Sequence, residues 1–267
     1  MIYSETDKSF IKKWLAHPLT RGLSIDDPCT TELRKLIIVK KIFLRRIYIE
    51  WYKSIASELP KRDGLVLELG SGAGFLRDFI PGLVTSEILP CPDVDIILDG
   101  YKLPFVDNSL RGIVMTDVFH HLPHPRNFLK EATRCVKPGG VIVMIEPWVT
   151  PWSQFIYTKL HHEPFRPEAE TWEFPGTGPL SGANGALPWI VFQRDRRQFQ
   201  HEFPQLQIQK INLDMPFCYL VSGGISLRNL MPGWSFGIWR GMEKLLKPWM
   251  EYLAMFARIT LLKSNNN

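Results

Sequence analysis

The run Leu65-Val-Leu-Glu-Leu69, followed by Gly70-Ser-Gly-Ala-Gly74, limits the fold more than any other part of the chain. Five residues, apolar except for Glu68, suit a short strand buried on both faces. Glycines at 70, 72 and 74 then let the backbone turn sharply and approach a ligand closely. A helix is predicted to follow from about Phe75. Glycine loops of this kind also bind dinucleotides, so the glycines alone do not name a ligand.

The alternation continues downstream. Short apolar runs at 83–84, 95–98, 112–116 and 141–145 read as further strands. A helix is predicted over Pro125–Cys135, with Phe128, Leu129, Ala132 and Val136 on one side. Lys137-Pro-Gly-Gly140 reads as a turn before the fifth strand. Strands alternating with helices indicate an α/β protein with a parallel sheet covered on both faces. Residues 206–213 and 255–262 alternate as strands, and they would close the sheet as a late antiparallel pair. Upstream, residues 31–59 read as one long helix. Leu33, Leu36, Ile37, Leu44, Ile47, Tyr48, Trp51, Ile55 and Leu59 share its apolar face, and Arg34, Lys35, Lys41, Arg45 and Arg46 lie opposite.

Composition narrows the class. The 267 residues carry 32 Lys+Arg against 27 Asp+Glu, a net charge of +5. Residues 1–62 hold 13 basic and 7 acidic residues, and the remaining 205 are close to neutral. A basic excess confined to the first quarter is not a nucleic-acid-binding charge spread over the protein. No run of about 18 apolar residues exists, so no spanning helix is expected. The first residues contain acids and no apolar core, which does not fit a secretory signal. Cys29, Cys91, Cys135 and Cys218 are scattered and form no CxxC, so no metal site is expected, and a cytoplasmic setting fits.

Four acids and one hydroxyl stand where strands end. Glu68 precedes the first glycine, where a carboxylate would repel a pyrophosphate but hold a cationic ligand. Glu87 ends the second apolar run and can accept two ribose hydroxyls. Asp99 ends the third and can accept an adenine amino hydrogen. Each also has a plainer reading: Glu87 as a surface acid, Asp99 as a turn cap. Thr116-Asp117 ends the fourth.

With these residues placed, the chain resembles the class I S-adenosylmethionine-dependent methyltransferases of the type 11, small-molecule branch. The matching segments are LVLELGSGAG (65–74), Glu87, LDGYKLPFVDNSL (98–110), VFHHLPHPRNFLKEATRCVKPGG (118–140) and VIVMIEP (141–147), about 85 residues in all. The resemblance implies a Rossmann-like, doubly wound seven-stranded sheet, mostly parallel with a late antiparallel strand. It also implies S-adenosylmethionine as cofactor. Glu68 would orient the glycine loop and the methionine end, with Gly70, Ser71, Gly72 and Gly74 lining methionine and ribose. Glu87 would bind the ribose, Asp99 and the backbone near Gly100 would read adenine, and Thr116 and Asp117 would border the methionine. The chain departs from many relatives at Arg111-Gly112, where they carry an aspartate. The expected division is a helical cap over 1–62, a cofactor core over 63–147, an acceptor insertion over 148–205, and a closing strand pair over 206–263 with a flap at 217–239.

Candidates for chemistry follow the fourth and fifth strands. His120, His121 and His124 lie over the expected reaction centre, where a neutral imidazole can take a proton near pH 7. One buried and two solvated histidines is the plainer arrangement. Glu146 ends strand five at the same edge and would face the substrate or simply mark the strand exit. His161 and His162 are candidates for the acceptor pocket. Arg194, with Arg196 and Arg197, would clamp an anionic substrate or form a solvated face. Asn184 reads as a turn residue.

The expected function is methyl transfer to a small, apolar or aromatic, lipid-like acceptor held by the Trp-, Phe- and Pro-rich section 147–239. A catalytically silent cofactor-binding scaffold is the alternative, as is an RNA or protein methyltransferase. The absence of Asn/Asp-Pro-Pro-Tyr after strand four argues against a nucleic-acid substrate. The basic face of 31–59 is expected either to be solvated or to meet anionic lipid headgroups, which would place the protein peripherally at a membrane.

Overall fold

A computed structural model describes residues 28–72, 74–91, 93–160, 163–176, 178 and 182–264. Seven strands form one sheet in the order β3-β2-β1-β4-β5-β7-β6. They are β1 (Leu65–Leu69), β2 (Leu83–Glu87), β3 (Ile96–Ile97), β4 (Leu110–Thr116), β5 (Val136–Pro147), β6 (Leu206–Asp214) and β7 (Phe256–Lys263). The pairs β1–β2, β2–β3, β1–β4 and β4–β5 are parallel. Strand β7 pairs antiparallel with both β5 and β6. This is the doubly wound, mostly parallel sheet expected from the sequence, closed by a late antiparallel pair.

The order reverses beside β1, which continues to β2 on one side and to β4 on the other. In open α/β sheets a crevice opens outside the carboxyl ends of the strands at that reversal. Strand β4 is wholly apolar inside, with Ile113, Val114 and Met115 all fully buried. The described α-helices of seven or more residues are α1 (Pro28–Lys40), α2 (Ile42–Glu58), α3 (Pro125–Cys135), α4 (Pro151–Leu160), α5 (Arg196–Glu202) and α6 (Phe236–Leu245). Helix α3 opens on a proline, where a missing N–H costs nothing. It buries Phe128, Leu129, Ala132 and Cys135 against the sheet. Each large apolar side chain so buried contributes about 1.5–3 kcal/mol.

Three local expectations are corrected. The long helix over 31–59 is two helices, broken at Lys41, whose backbone is extended (φ −82°, ψ 90°). The Lys41 side chain is buried rather than solvated, and its Nζ donates to the carbonyls of Gly224 and Leu227. Burial lowers its pKa from 10.5 to about 8. The turn also carries Ile38 and Phe43 into the core, while Leu36 is left exposed. The helix predicted from Phe75 is only a single tight turn, Leu76–Asp78. Lys137–Gly140 is not a turn outside the sheet but part of β5, where its pairing with β4 shifts register.

Section 148–205 packs on the same core through Trp172, Phe192 and Phe199, all at most 1% exposed. Arg126 of α3 ties it down by pairing with Glu173 and Glu202 and lying 4.1 Å from the Trp172 ring centre. No described helix is long and apolar enough to cross a membrane.

Candidate active site

A cavity of about 290 Å³ opens at the carboxyl ends of β1, β2 and β4. Its lining includes Glu68, Gly70, Ser71, Gly74, Glu87, Asp99, Gly100, Thr116 and Asp117, which the sequence spreads over 50 positions. The glycine loop is shaped by close approach. Gly70 has φ +69°, and a Cβ there would stand 2.6 Å from the Val118 side chain. At Gly74 a Cβ would stand 2.6 Å from the Tyr52 hydroxyl. Larger residues would close the loop onto the cavity.

Gly72 is the exception among the residues assigned to the cofactor. It does not line this cavity, and its N–H is donated to Glu87 Oε2 at 3.1 Å. Glu87 Oε1 accepts the N–H of Ile88 at 2.9 Å. Both carboxylate oxygens are therefore fixed by backbone, with remaining lone pairs for a ligand. Asp99 fulfils the turn reading as well as the cavity one, because its Oδ1 accepts the Tyr101 N–H at 2.9 Å. Thr116 Oγ1 is buried with no hydrogen-bond partner among the described atoms, and Thr116 lines the cavity. Such an orphan asks for a polar ligand atom.

Charge in the cavity is poised. Burial raises the Glu68 carboxyl from 4.5 to about 7, with Ser71 opposing and Glu87 adding to the rise. Burial likewise raises Asp117 from 3.8 to about 7, against the pull of His120 and with Glu146 and Glu163 adding to it. The third of the Asp117 side chain that is accessible faces the cavity. Its backbone is left-handed at φ +62°, a conformation a non-glycine residue holds only where its surroundings enforce it.

Beside Asp117 lies a hydrogen-bonded cluster that the sequence saw only in parts. Glu146 is fully buried at the end of β5 and does not face either cavity, so its expected contact with substrate is corrected. Its Oε1 accepts the N–H groups of Val118 (2.9 Å) and Phe119 (2.7 Å), and its Oε2 meets His120 Nδ1 at 2.7 Å. His120 Nε2 lies 3.5 Å from Glu163 Oε2. Burial alone would lower the His120 pKa, but the Glu146 and Glu163 carboxylates hold it well above 6.5. His120 is thus a buried cation, not the neutral base expected. Burial and the charge on His120 push His121 down to about 4, so it is neutral. Its Nδ1 donates to the Gly182 carbonyl (3.1 Å) and its Nε2 is 3.9 Å from Glu163 Oε1. Of the three histidines only His120 is buried; His121 is half-buried and His124 exposed, close to the plainer arrangement. His120, His121 and Glu163 hold three polar atoms within 4.8 Å of one another, as do Asp117, His120 and Glu146; in both sets the raised pKa of His120 makes its imidazolium the cation that the carboxylates surround.

A second cavity of about 100 Å³ adjoins the first. Arg34, Asp117, His121 and Ile225 line both. The rest of its wall includes Pro147, Tyr157, Pro164, Phe165, Tyr219 and Phe256, with Glu163 on the polar side. Asn184 holds this wall in place: its Oδ1 accepts the Arg166 and Ala186 N–H groups. Arg194 is not part of it. Its guanidinium binds Asp195 and the carbonyls of Pro167 and Ala169, which removes the anion clamp. His161 and His162 lie outside the described residues. Sequence reasoning missed Arg34, Tyr48 and Tyr52, which reach the larger cavity from α1 and α2. The signal was there in Tyr48 and Tyr52, hydroxyl-bearing residues one helical turn apart on a face that is otherwise apolar.

Residues 89–144 match the family model described as a methyltransferase domain. Over those residues the chain is similar to the methyltransferase domain of this family. The demethylmenaquinone methyltransferase of Paenarthrobacter aurescens is 35% identical to it over 127 residues, covering 41% of this chain and 50% of that protein. That of Renibacterium salmoninarum is 34% identical over 70 residues, 26% of this chain and 30% of that protein. The chain therefore spans half or less of the length of these relatives. Among solved structures, a chain from the complex containing the Haloferax volcanii Trm112 methyltransferase activator aligns over 91% of this chain and 99% of its own, with a TM-score of 0.51 at 14% identity. That likeness concerns the fold. The glycine loop, Glu87 and Asp99 stand at the sheet's topological reversal.

Proposed function

We propose that the chain transfers a methyl group from S-adenosylmethionine to a small, lipid-like acceptor with an aromatic ring. The observation that carries this reading is the single cavity uniting Glu68, Glu87, Asp99 and the orphaned Thr116 hydroxyl. Glu68 and Asp117 would meet the cationic methionine end, Glu87 the ribose hydroxyls, and Asp99 with the Gly100 backbone the adenine. The cofactor supplies a methyl carbon that is already electrophilic. The chain's own task is then to align the acceptor and to exclude water.

The adjoining aromatic chamber is the proposed acceptor site. Tyr157, Phe165, Tyr219 and Phe256 form walls suited to a flat apolar ring. The curated relatives, named for demethylmenaquinone, support an acceptor of that chemical class. Asp117 stands in the wall common to both chambers, and a carboxyl titrating near 7 can accept the proton an acceptor loses. His120 and Glu146 are positioning residues: they hold residues 117–121 in place.

The test is methyl transfer from labelled S-adenosylmethionine to reduced naphthoquinones with isoprenoid tails, beside a panel of small polar acceptors. The proposal expects turnover with the former and a pH–rate limb near 7 that Asp117→Asn abolishes. Turnover restricted to highly polar acceptors would overturn the acceptor reading.

A further inference from the structure

Between residues 233 and 253 the chain is almost continuously helical, comprising a short turn at Gly233–Ser235, helix α6, and turns at Lys247–Trp249 and Met250–Leu253. Its inner side is anchored. Phe236 and Met250 are buried, and the buried Glu243 accepts the N–H groups of Phe217 and Cys218 while pairing with Arg240. Its outer side is unusual. Trp234, Ile238, Met242, Leu245 and Trp249 follow one another at steps of four, four, three and four residues, the spacing of one helical face. They are 76%, 60%, 42%, 77% and 53% exposed. Ile42, 61% exposed at the start of α2, lies beside them, because a Cβ on Gly233 would meet its side chain.

An apolar stripe of this size needs an occupant. Its rim favours one. Arg46 donates to the Gly233 carbonyl, and Lys40, Lys244 and Lys247 are exposed nearby. Glu251 is an exposed acid in this segment, whereas Glu243 is buried and neutralised by Arg240. Tryptophans at the edge of an apolar helical face, flanked by Lys and Arg, match the boundary between lipid headgroups and acyl chains.

We propose that this stripe docks the protein peripherally on an anionic lipid bilayer, with α6 lying in the plane of the interface. The contact is thereby moved from the 31–59 face to α6, with the junction of α1 and α2 contributing Lys40, Ile42 and Arg46. The same segment connects to the acceptor chamber. Lys41 caps the carbonyls of Gly224 and Leu227, and Tyr219, Ile225 and Ser226 line the chamber wall. A lipid-like acceptor would thus be met by a loop tied to the docking face. That last step rests on the proposed function, but docking itself does not.

The experiment is flotation of the full chain with vesicles of phosphatidylcholine alone or with phosphatidylglycerol, at low and high salt. The wild-type protein is expected to float with the anionic vesicles, less so at high salt. Trp234→Ala/Leu245→Ala/Trp249→Ala should abolish flotation. Lys244→Gln/Lys247→Gln should weaken partition about fivefold per charge removed. Both variants should keep the wild-type thermal shift with S-adenosylhomocysteine, which separates lost docking from lost folding. Absence of flotation at low salt, or equal flotation of the triple variant, would overturn the proposal. So would a stable dimer of the wild type that the triple variant alone dissociates, because the stripe would then face a second copy of this chain.

Discussion

Glu68 makes the sharpest single test of the cavity's electrostatics. It is 3% exposed, at the end of β1, and burial raises its carboxyl from 4.5 to about 7. The folded-state pKa therefore lies above the unfolded one. Between those two values the native chain keeps a proton that the unfolded chain releases. Stability from this group is fully present below about 4.5 and is lost as pH rises through about 7. The difference corresponds to about 3 kcal/mol. Glu68→Gln keeps the shape and removes the titration. It should raise the unfolding free energy of the cofactor-free protein at pH 8 by about 1–3 kcal/mol and flatten its pH dependence between 4.5 and 7. The same substitution should weaken S-adenosylmethionine binding at pH 8 by about 10- to 100-fold, since a charge-assisted hydrogen bond is worth about 1.5–3 kcal/mol. Urea denaturation across pH and calorimetric titration read the two effects separately. A variant that is both less stable and unchanged in binding would refute the reasoning.

Glu146→Gln leaves buried N–H groups at 118 and 119 facing a weaker acceptor and strips His120 of its counter-charge, so a loss of about 2–4 kcal/mol is expected in the same urea assay. Gly70→Ala puts a Cβ 2.6 Å from Val118 at φ +69°, and should lower both melting temperature and cofactor affinity, read by thermal shift with and without S-adenosylhomocysteine. Glu87→Ala removes the acceptor for the Gly72 and Ile88 N–H groups, and should weaken S-adenosylhomocysteine by at least tenfold in calorimetry.

The sheet was legible because its strands are apolar runs ended by glycine or acid, a pattern set by local chemistry. Strand β7 was legible as a strand, although it lies between β5 and β6 and is buried at six of its eight positions rather than alternating. The break at Lys41 was not, because it depends on carbonyls at 224 and 227, more than 180 residues away. A helical wheel places a lysine outward by default, and only tertiary partners turn it in. The helix expected after the glycine loop failed differently. Phe75 and Phe79 pack on Tyr52, and the chain is drawn into one tight turn instead. At the site, residues at strand ends were readable from position alone. Glu163, Tyr157 and Tyr219 were not, because they come from irregular segments that only the folded chain brings beside Asp117. The protonation of His120 was also beyond the sequence, which shows three histidines but not the carboxylates that flank one of them.

The central claim is that the cavity at the ends of β1, β2 and β4 holds S-adenosylmethionine. Calorimetric titration of the wild-type chain with S-adenosylhomocysteine at pH 8 tests it most directly, run beside Asp99→Ala. One saturable site per chain, weakened at least tenfold by the substitution, is the predicted result. No heat of binding in the wild type, or the same affinity in Asp99→Ala, would contradict it.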